Sequence, residues 1–234
     1  MGRSVLVTGG NRGIGLAVAR ALTDAGHAVT VTHRSGEPPA GLAGVHCEVT
    51  DTDSVDAAFR AVEERQGPVE VLVANAGITR DQLLMRMSDD EYEAVVATNL
   101  GGVFRCVRRA ATSMIRKRYG RIVLVGSVVG LYGAPGQANY ASTKAALVGL
   151  ARSVSREVGA RGITVNVVAP GFVETDMTAA LAPERREQYL AAIPAHRFAD
   201  PAEVAAAVSF LASDQAGYIT GAVLPVDGGL GMGH

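Results

Sequence analysis

The chain has 234 residues, 48% hydrophobic and 19% charged, enough apolar content for one substantial core. Its formal charge of −1 and pI near 6.5 lack the basic excess of a nucleic-acid-binding protein. Two cysteines without CxxC spacing give neither a disulfide framework nor a thiolate metal site, and no apolar run approaches the ~18 residues of a membrane helix.

The first β-rich run, SVLVT (4–8), begins so near Met1 that no room is left for a signal peptide, and a cytoplasmic address is expected. Gly9-Gly10-Asn11-Arg12-Gly13-Ile14-Gly15 follows, then a helical pattern with Leu16, Val18, Ala19 and Leu22 apolar, closed by Gly26. In a strand–loop–helix context, glycines let the backbone approach a pyrophosphate, and the helix N-terminus supplies free N–H groups. The spacing Gly9-x-x-x-Gly13-x-Gly15 departs from Gly-x-Gly-x-x-Gly, and a plain strand-to-helix turn is the alternative. The second strand, HAVTVTH (27–33), ends without the Asp or Glu that meets a free ribose 2′-hydroxyl. Arg34, helped by Arg12, suits a 2′-phosphate, because guanidinium grips phosphate with two donors; this favours NADPH, with a solvated loop arginine as the alternative.

A turn-rich stretch (35–43) leads to the third strand, GVHCEVT (44–50), with Glu48 and Val49 near its end. Residues 52–66 carry helical periodicity with Thr52 or Asp53 as cap. Strand four, VEVLVANAG (69–77), delivers Asn75, Ala76 and Gly77 to the carboxyl edge of the sheet, where open α/β folds bind ligands. Residues 78–90 form a loop with an apolar Leu83, Leu84, Met85 and Met87 set, of which the Met85/Met87 cluster reads more often as core. Two long helices are expected at about 89–98 and 101–118, with Asn99 at the break between them as a cap or turn residue.

RIVLVG (121–126) is strand five, and Ser127 stands just past its end. After a Gly/Pro-broken loop, a helix carries Tyr140 and Lys144 and continues to about Gly159. Four residues apart, the two share one helix face, and an ammonium beside a phenol favours the phenolate. Such a tyrosine serves as acid or base closer to neutral pH, and Ser127 reaches the same point as a donor to a carbonyl oxygen. Alone, Tyr-x-x-x-Lys is more often an ordinary exposed pair.

Strand six, GITVNVVAP (162–170), ends in Pro170-Gly171 and opens into a long interruption (172–198) holding Val173 and Thr175, expected to close over a ligand as a lid. The final helix (201–212), capped by Asp200 with Pro201 in its first turn, precedes a short last strand near 222–226. The alternation indicates a single-domain, Rossmann-like α/β fold over 1–234, a doubly wound parallel sheet of about seven strands flanked by helices. His27, His33, His46, His196 and His234 are scattered without ligand spacing, so no metal is expected.

TGGNRGIG, NAG, and Ser127 with Tyr140 and Lys144 together make the chain resemble the short-chain dehydrogenase/reductase family over essentially its full length. More narrowly, GSVVG, GQANYASTKA, RGITVNVVAPGFVETDM and ITGAVLPVDGGLGMGH resemble the 3-oxoacyl-[acyl-carrier-protein] reductases of type II fatty acid synthesis. The resemblance implies that Tyr140 protonates the substrate oxygen while NADPH delivers hydride. Lys144 would hold the nicotinamide ribose and lower the Tyr140 pKa, and Ser127 would orient the carbonyl. Asn99 would hold a relay water through a local helix distortion. It implies a cofactor site made of Gly9, Asn11, Arg12, Gly13, Ile14, Gly15, Arg34, Glu48, Val49, Asn75, Ala76, Gly77, Tyr140, Lys144, Pro170, Gly171, Val173 and Thr175, with Glu48 where the family most often has Asp. Tyr132 and the Met85/Met87 loop would lie near the acyl chain, and Arg118 and Arg161 would receive the acyl carrier protein. A homotetramer is implied, built from the two long helices and the last helix and strand. The alternatives are an acetoacetyl-CoA reductase, a polyketide ketoreductase, or a non-catalytic dinucleotide-sensing protein.

Overall fold

The computed structural model describes residues 2–179 and 182–232, without the side chains of Asp176 and Met177; residues 180–181 of the expected lid, and His234, lie outside the described residues. Among the described residues seven strands pair in parallel: β1 Ser4–Val7, β2 Ala28–His33, β3 Ala43–His46, β4 Val71–Ala74, β5 Gly120–Val125, β6 Ile163–Pro170 and β7 Val223–Val226. Their order is β3-β2-β1-β4-β5-β6-β7, so the winding direction reverses between β1 and β4. In β1, β4, β5 and β6 every residue is buried, as expected of parallel strands covered on both faces.

The helices are α1 Gly13–Asp24, α2 Thr52–Gln66, α3 Asp89–Val96, α4 Val103–Lys117, α5 Val129–Tyr132, α6 Ala138–Val158, α7 Asp176–Ala179, α8 Pro183–Ala192 and α9 Pro201–Ala212. Strand alternation sends Leu6, Leu72, Ile122 and Leu124 into a core with Phe59, Met114 and Leu147 from α2, α4 and α6. Val5, Val7, Val71, Val73 and Val123 enter a second core with Leu22 of α1 and Val208 and Leu211 of α9. Register keeps each face uniform, since Leu6 pairs with Leu72 and Leu72 with Ile122.

Local chemistry ends the elements. Asp51, one residue before the expected caps, accepts the Asp53 N–H and starts α2. Capping boxes start α3 (Ser88, Glu91) and α9 (Asp200, Glu203), the latter with Pro201 at its first position.

Three expectations are corrected. The third strand ends at His46, so Glu48 and Val49 belong to the following turn, where Ser54 Oγ accepts the Glu48 N–H. The helix does not break at Asn99: α3 passes through a wide π turn, Ala97–Gly102, directly into α4. Asn99 is fully buried there, and periodicity alone cannot reveal one wide turn inside a continuing apolar face. The Met85/Met87 cluster is not core: Met85 is 98% exposed and Met87 is only half-buried. Among the described residues no helix is long and apolar enough to cross a membrane.

Candidate active site

The carboxyl ends of β1 and β4 carry the glycine loop and its support. Gly9 and Gly13 have φ of +62° and +53°, conformations that side chains rarely adopt. At Gly15 a Cβ would lie 2.5 Å from both the Asn75 Nδ2 and the Gly9 carbonyl oxygen. Asn75 Nδ2 donates to the carbonyls of Thr8 (3.0 Å) and Gly9 (2.9 Å), while Thr8 Oγ1 accepts the N–H groups of Asn75 and Ala76. Asn75 therefore shapes the loop from behind. Thr8, which sequence reading passed over, ties that loop to β4, and Thr32 Oγ1 accepts the Gly9 N–H in the same way.

No side chain caps α1, and its first turn holds no acidic residue, so its helix dipole faces the loop without a protein anion. Such a cradle, with glycines where a Cβ would collide, fits a dinucleotide pyrophosphate. Thr175 lies over the loop, its Cγ2 3.6 Å from the Cβ position of Gly13, and is fixed by the Thr178 hydroxyl, which accepts its N–H. Pro170 ends β6, Gly171 presses against Asp227, and Val173 is buried with a strand bridge to Ala199. Arg12 and Arg34 are exposed at the rim, and Asn11 and Ile14 are half-buried. Glu48 is turned onto its own loop, accepting from the Thr50 N–H and hydroxyl, and Val49 packs on Gly102.

The second half of the site lies past β5. The Val128 N–H donates to the Pro170 carbonyl, holding the residue after Ser127 against β6. The short helix α5 then lies directly on α6: at Gly130 a Cβ would sit 2.7 Å from the Ala145 nitrogen. That contact brings Ser127 close enough to act on the Tyr140 hydroxyl, and Ser127 Oγ accepts the Val129 N–H at 3.2 Å. Lys144 is buried, with Nζ 5.5 Å from the Tyr140 ring centre and 2.7 Å from the Val125 carbonyl, to which it donates. Asn99 clamps Ile78 from both sides, accepting its N–H (2.8 Å) and donating to its carbonyl (2.9 Å). Its Oδ1 also lies 3.1 Å from the Cβ position of Gly77, which only a glycine admits comfortably. Ser127, Tyr140 and Lys144 thus stand together, and Asn99 approaches the same helix at Thr143, whose Oγ1 lies 3.5 Å from its Nδ2.

The electrostatics differ from the expected lowering of the phenol. Burial, with a smaller push from the Asp81 carboxylate, drives Tyr140 up to about 12, against the pull of the Ser127 hydrogen bond. Burial likewise brings Lys144 down to about 8. Spacing reveals that the two are neighbours, but not that both leave water.

Beyond them, Phe172 stacks on Tyr189 and Phe198 at 4.0 and 5.3 Å, fastening α8 over the end of β6. Arg186 lies over Phe198 and pairs with Glu174. Tyr132, 43% exposed at the end of α5, feels Tyr189 and Asp227. Among the described residues no group of three or more His, Cys, Asp or Glu is placed to hold a metal ion.

A family model described as enoyl-(acyl carrier protein) reductase matches residues 9–231. The chain is 58% identical over 232 residues to the 3-oxoacyl-[acyl-carrier-protein] reductase MabA of Mycobacterium tuberculosis, covering 99% of this chain and 94% of that one. It is 49% identical over 239 residues to the 3-oxoacyl-[acyl-carrier-protein] reductase FabG of Escherichia coli (strain K12), covering 99% and 98%.

Proposed function

The chain belongs to the short-chain dehydrogenase/reductase family, and on that premise we propose that it reduces 3-oxoacyl-[acyl-carrier-protein] to the (3R)-3-hydroxyacyl thioester in fatty acid synthesis, using NADPH. The observation that carries the reading is the convergence of Ser127, Tyr140 and Lys144 beside a glycine cradle on the same sheet edge. A C=O group needs one donor to hold its oxygen and one to protonate it, and the Ser127–Tyr140 pair supplies both. The family description names C=C reduction, but the relatives at 49% and 58% identity are named for 3-oxoacyl reduction.

Bound NADPH supplies the hydride. Tyr140 keeps its proton at neutral pH, because burial opposes the phenolate, and releases it to the oxygen that becomes an alkoxide. Ser127 orients that oxygen. Lys144, brought to about 8, still carries its charge at neutral pH and would hold the nicotinamide ribose. Asn99, buried in the π turn, would hold the relay water. The 2′-phosphate would fall to Arg34 and Arg12, since β2 ends without an acid. Thr175 and the 172–198 segment would close over the cofactor as a lid.

The same reading gives the substrate an acyl carrier protein and the enzyme a homotetrameric state. The exposed Phe104 and Ile115 of α4 and Phe210 of α9 favour the latter. Buried, unpaired Cys47 and Cys106 favour a reducing, cytoplasmic setting.

The test is NADPH oxidation with 3-oxoacyl and 2-enoyl thioesters side by side. Turnover is expected with the first alone; turnover confined to the enoyl thioester, or none with either, overturns the reading. Binding titrations of Arg34→Ala should show NADPH weakened at least ~10-fold more than NADH, the loss of a charge-assisted phosphate contact.

A further inference from the structure

Three consecutive contacts fasten residues 80–82, on the segment between β4 and α3, to the start of α6. Asn139 Nδ2 donates to the Arg80 carbonyl at 2.9 Å. Gln137 Nε2 donates to Asp81 Oδ2 at 2.8 Å. The Gln82 N–H donates to the Gly136 carbonyl at 2.9 Å. The first leads straight to the reacting tyrosine, because Asn139 Oδ1 also accepts the Tyr140 N–H at 2.7 Å.

Gln137 occupies the N-cap of α6, yet its own side chain makes no capping bond to the helix. A Ser, Thr, Asp or Asn there would contribute about 1 kcal/mol of helix stability. The glutamine instead spends its amide on Asp81, and a local rule broken beside a reactive group marks a functional constraint. Asp81 itself is exposed and, among the described residues, pairs with no Lys or Arg. Its charge is therefore not cancelled locally.

Resting on the reductase reading above, we propose that Asp81 is a positioning residue for Tyr140: through Gln137 it locks the 80–82 strap to the start of α6, and its carboxylate keeps the phenolic proton in place until the substrate oxygen takes it. Burial opposes ionisation of that phenol most; of the groups around it, the Ser127 hydroxyl favours ionisation and the Asp81 carboxylate opposes it, and the Lys144 Nζ lies 5.5 Å from the ring centre. Removing the one anion of this set shifts the balance toward the phenolate.

Two substitutions separate charge from latch. Asp81→Asn keeps an oxygen for Gln137 and removes the charge. In the reverse direction, oxidation of a 3-hydroxyacyl thioester by NADP⁺, the phenolate is the base and the rate rises with pH as it forms. That rise should move to lower pH in Asp81→Asn. Without nucleotide, the tyrosinate absorbance lost on adding Tyr140→Phe should move the same way. Gln137→Leu keeps the charge and breaks the latch, so kcat for reduction should fall ~10-fold through misplacement of the acid while NADPH affinity holds. A merely structural Asp81 would lower Tm and leave both titrations unmoved; that result, or full kcat in Gln137→Leu, overturns the proposal. An unmodified protein inactive on both thioesters would defeat the reductase reading instead, while the absorbance titration would still decide the role of Asp81.

Discussion

An ammonium that exchanges water for the single carbonyl of Val125 loses much of its solvation, which is why burial takes Lys144 from 10.5 to about 8. Its folded value lies below its unfolded one, so between these pH values the folded state binds fewer protons and stability rises with pH. At neutral pH the fold carries the whole cost, about 3 kcal/mol. Lys144→Met should therefore stabilise the protein at neutral pH by about 2 kcal/mol, after allowing for the Val125 carbonyl left without its donor. The gain should fade above about pH 10, and thermal unfolding at the two pH values checks it; an equal gain at both would mean that the lysine is solvated. The same variant should lose activity, the usual exchange of function against stability at a site. Tyr140→Phe makes the complementary case. It removes only the hydroxyl, so turnover should fall by ~10²–10⁴-fold with NADPH affinity and Tm nearly unchanged, and near-normal turnover would place the acid elsewhere.

The short helix α5 exists to bring Ser127 over α6, and Gly130 is the point at which the two backbones meet. Gly130→Ala would place a Cβ 2.7 Å from the Ala145 nitrogen and 2.8 Å from the Lys144 carbonyl carbon, atoms that cannot swing aside. A loss of ~1–3 kcal/mol is expected from overpacking, with kcat falling further than Tm suggests because Ser127 is displaced. Calorimetry and steady-state kinetics on one preparation distinguish the two effects. Elements with strong periodicity and caps were readable beforehand: α2 spans Thr52–Gln66 as expected, and α9 spans Pro201–Ala212. Strand ends were less so. VEVLVANAG reads as strand through Gly77, yet β4 closes at Ala74, because Asn75 and Ala76 give their N–H groups to Thr8 rather than to a neighbouring strand. The side chains proposed to react were visible as motifs, whereas Thr8, Gly130 and Asn139 were not. Each works through a partner distant in the chain, such as Asn139 on Arg80, 59 residues away. Nor does any spacing show that Tyr140 and Lys144 give up their water.

At the scale of the molecule, the end of α4 and the turn before β6 form one basic edge. Arg118 adopts a left-handed conformation (φ +53°) and donates to the Ala160 carbonyl, which sets it near Arg161. With both reversed to Glu, KM for an acyl-carrier substrate should rise ~10-fold or more while a small CoA thioester is little affected, since charge here guides encounter rather than chemistry. The effect should vanish near ~1 M salt, where the screening length is about 3 Å. Equal losses on both substrates would make the arginines structural. Light scattering at micromolar concentration should report four copies; a monomer would leave the exposed Phe104 and Ile115 without a purpose. The sheet, finally, separates two cores that have no residue in common, one under α1 and α9 and one under α2, α4 and α6. On the proposed reading, coenzyme preference would be set beside the first, at the glycine loop and Arg34, and proton chemistry beside the second. A lineage, or an engineer, can retune one without repacking the other: variants selected separately for NADH use and for a new acyl group should combine with additive effects, so the fold can be adapted half at a time.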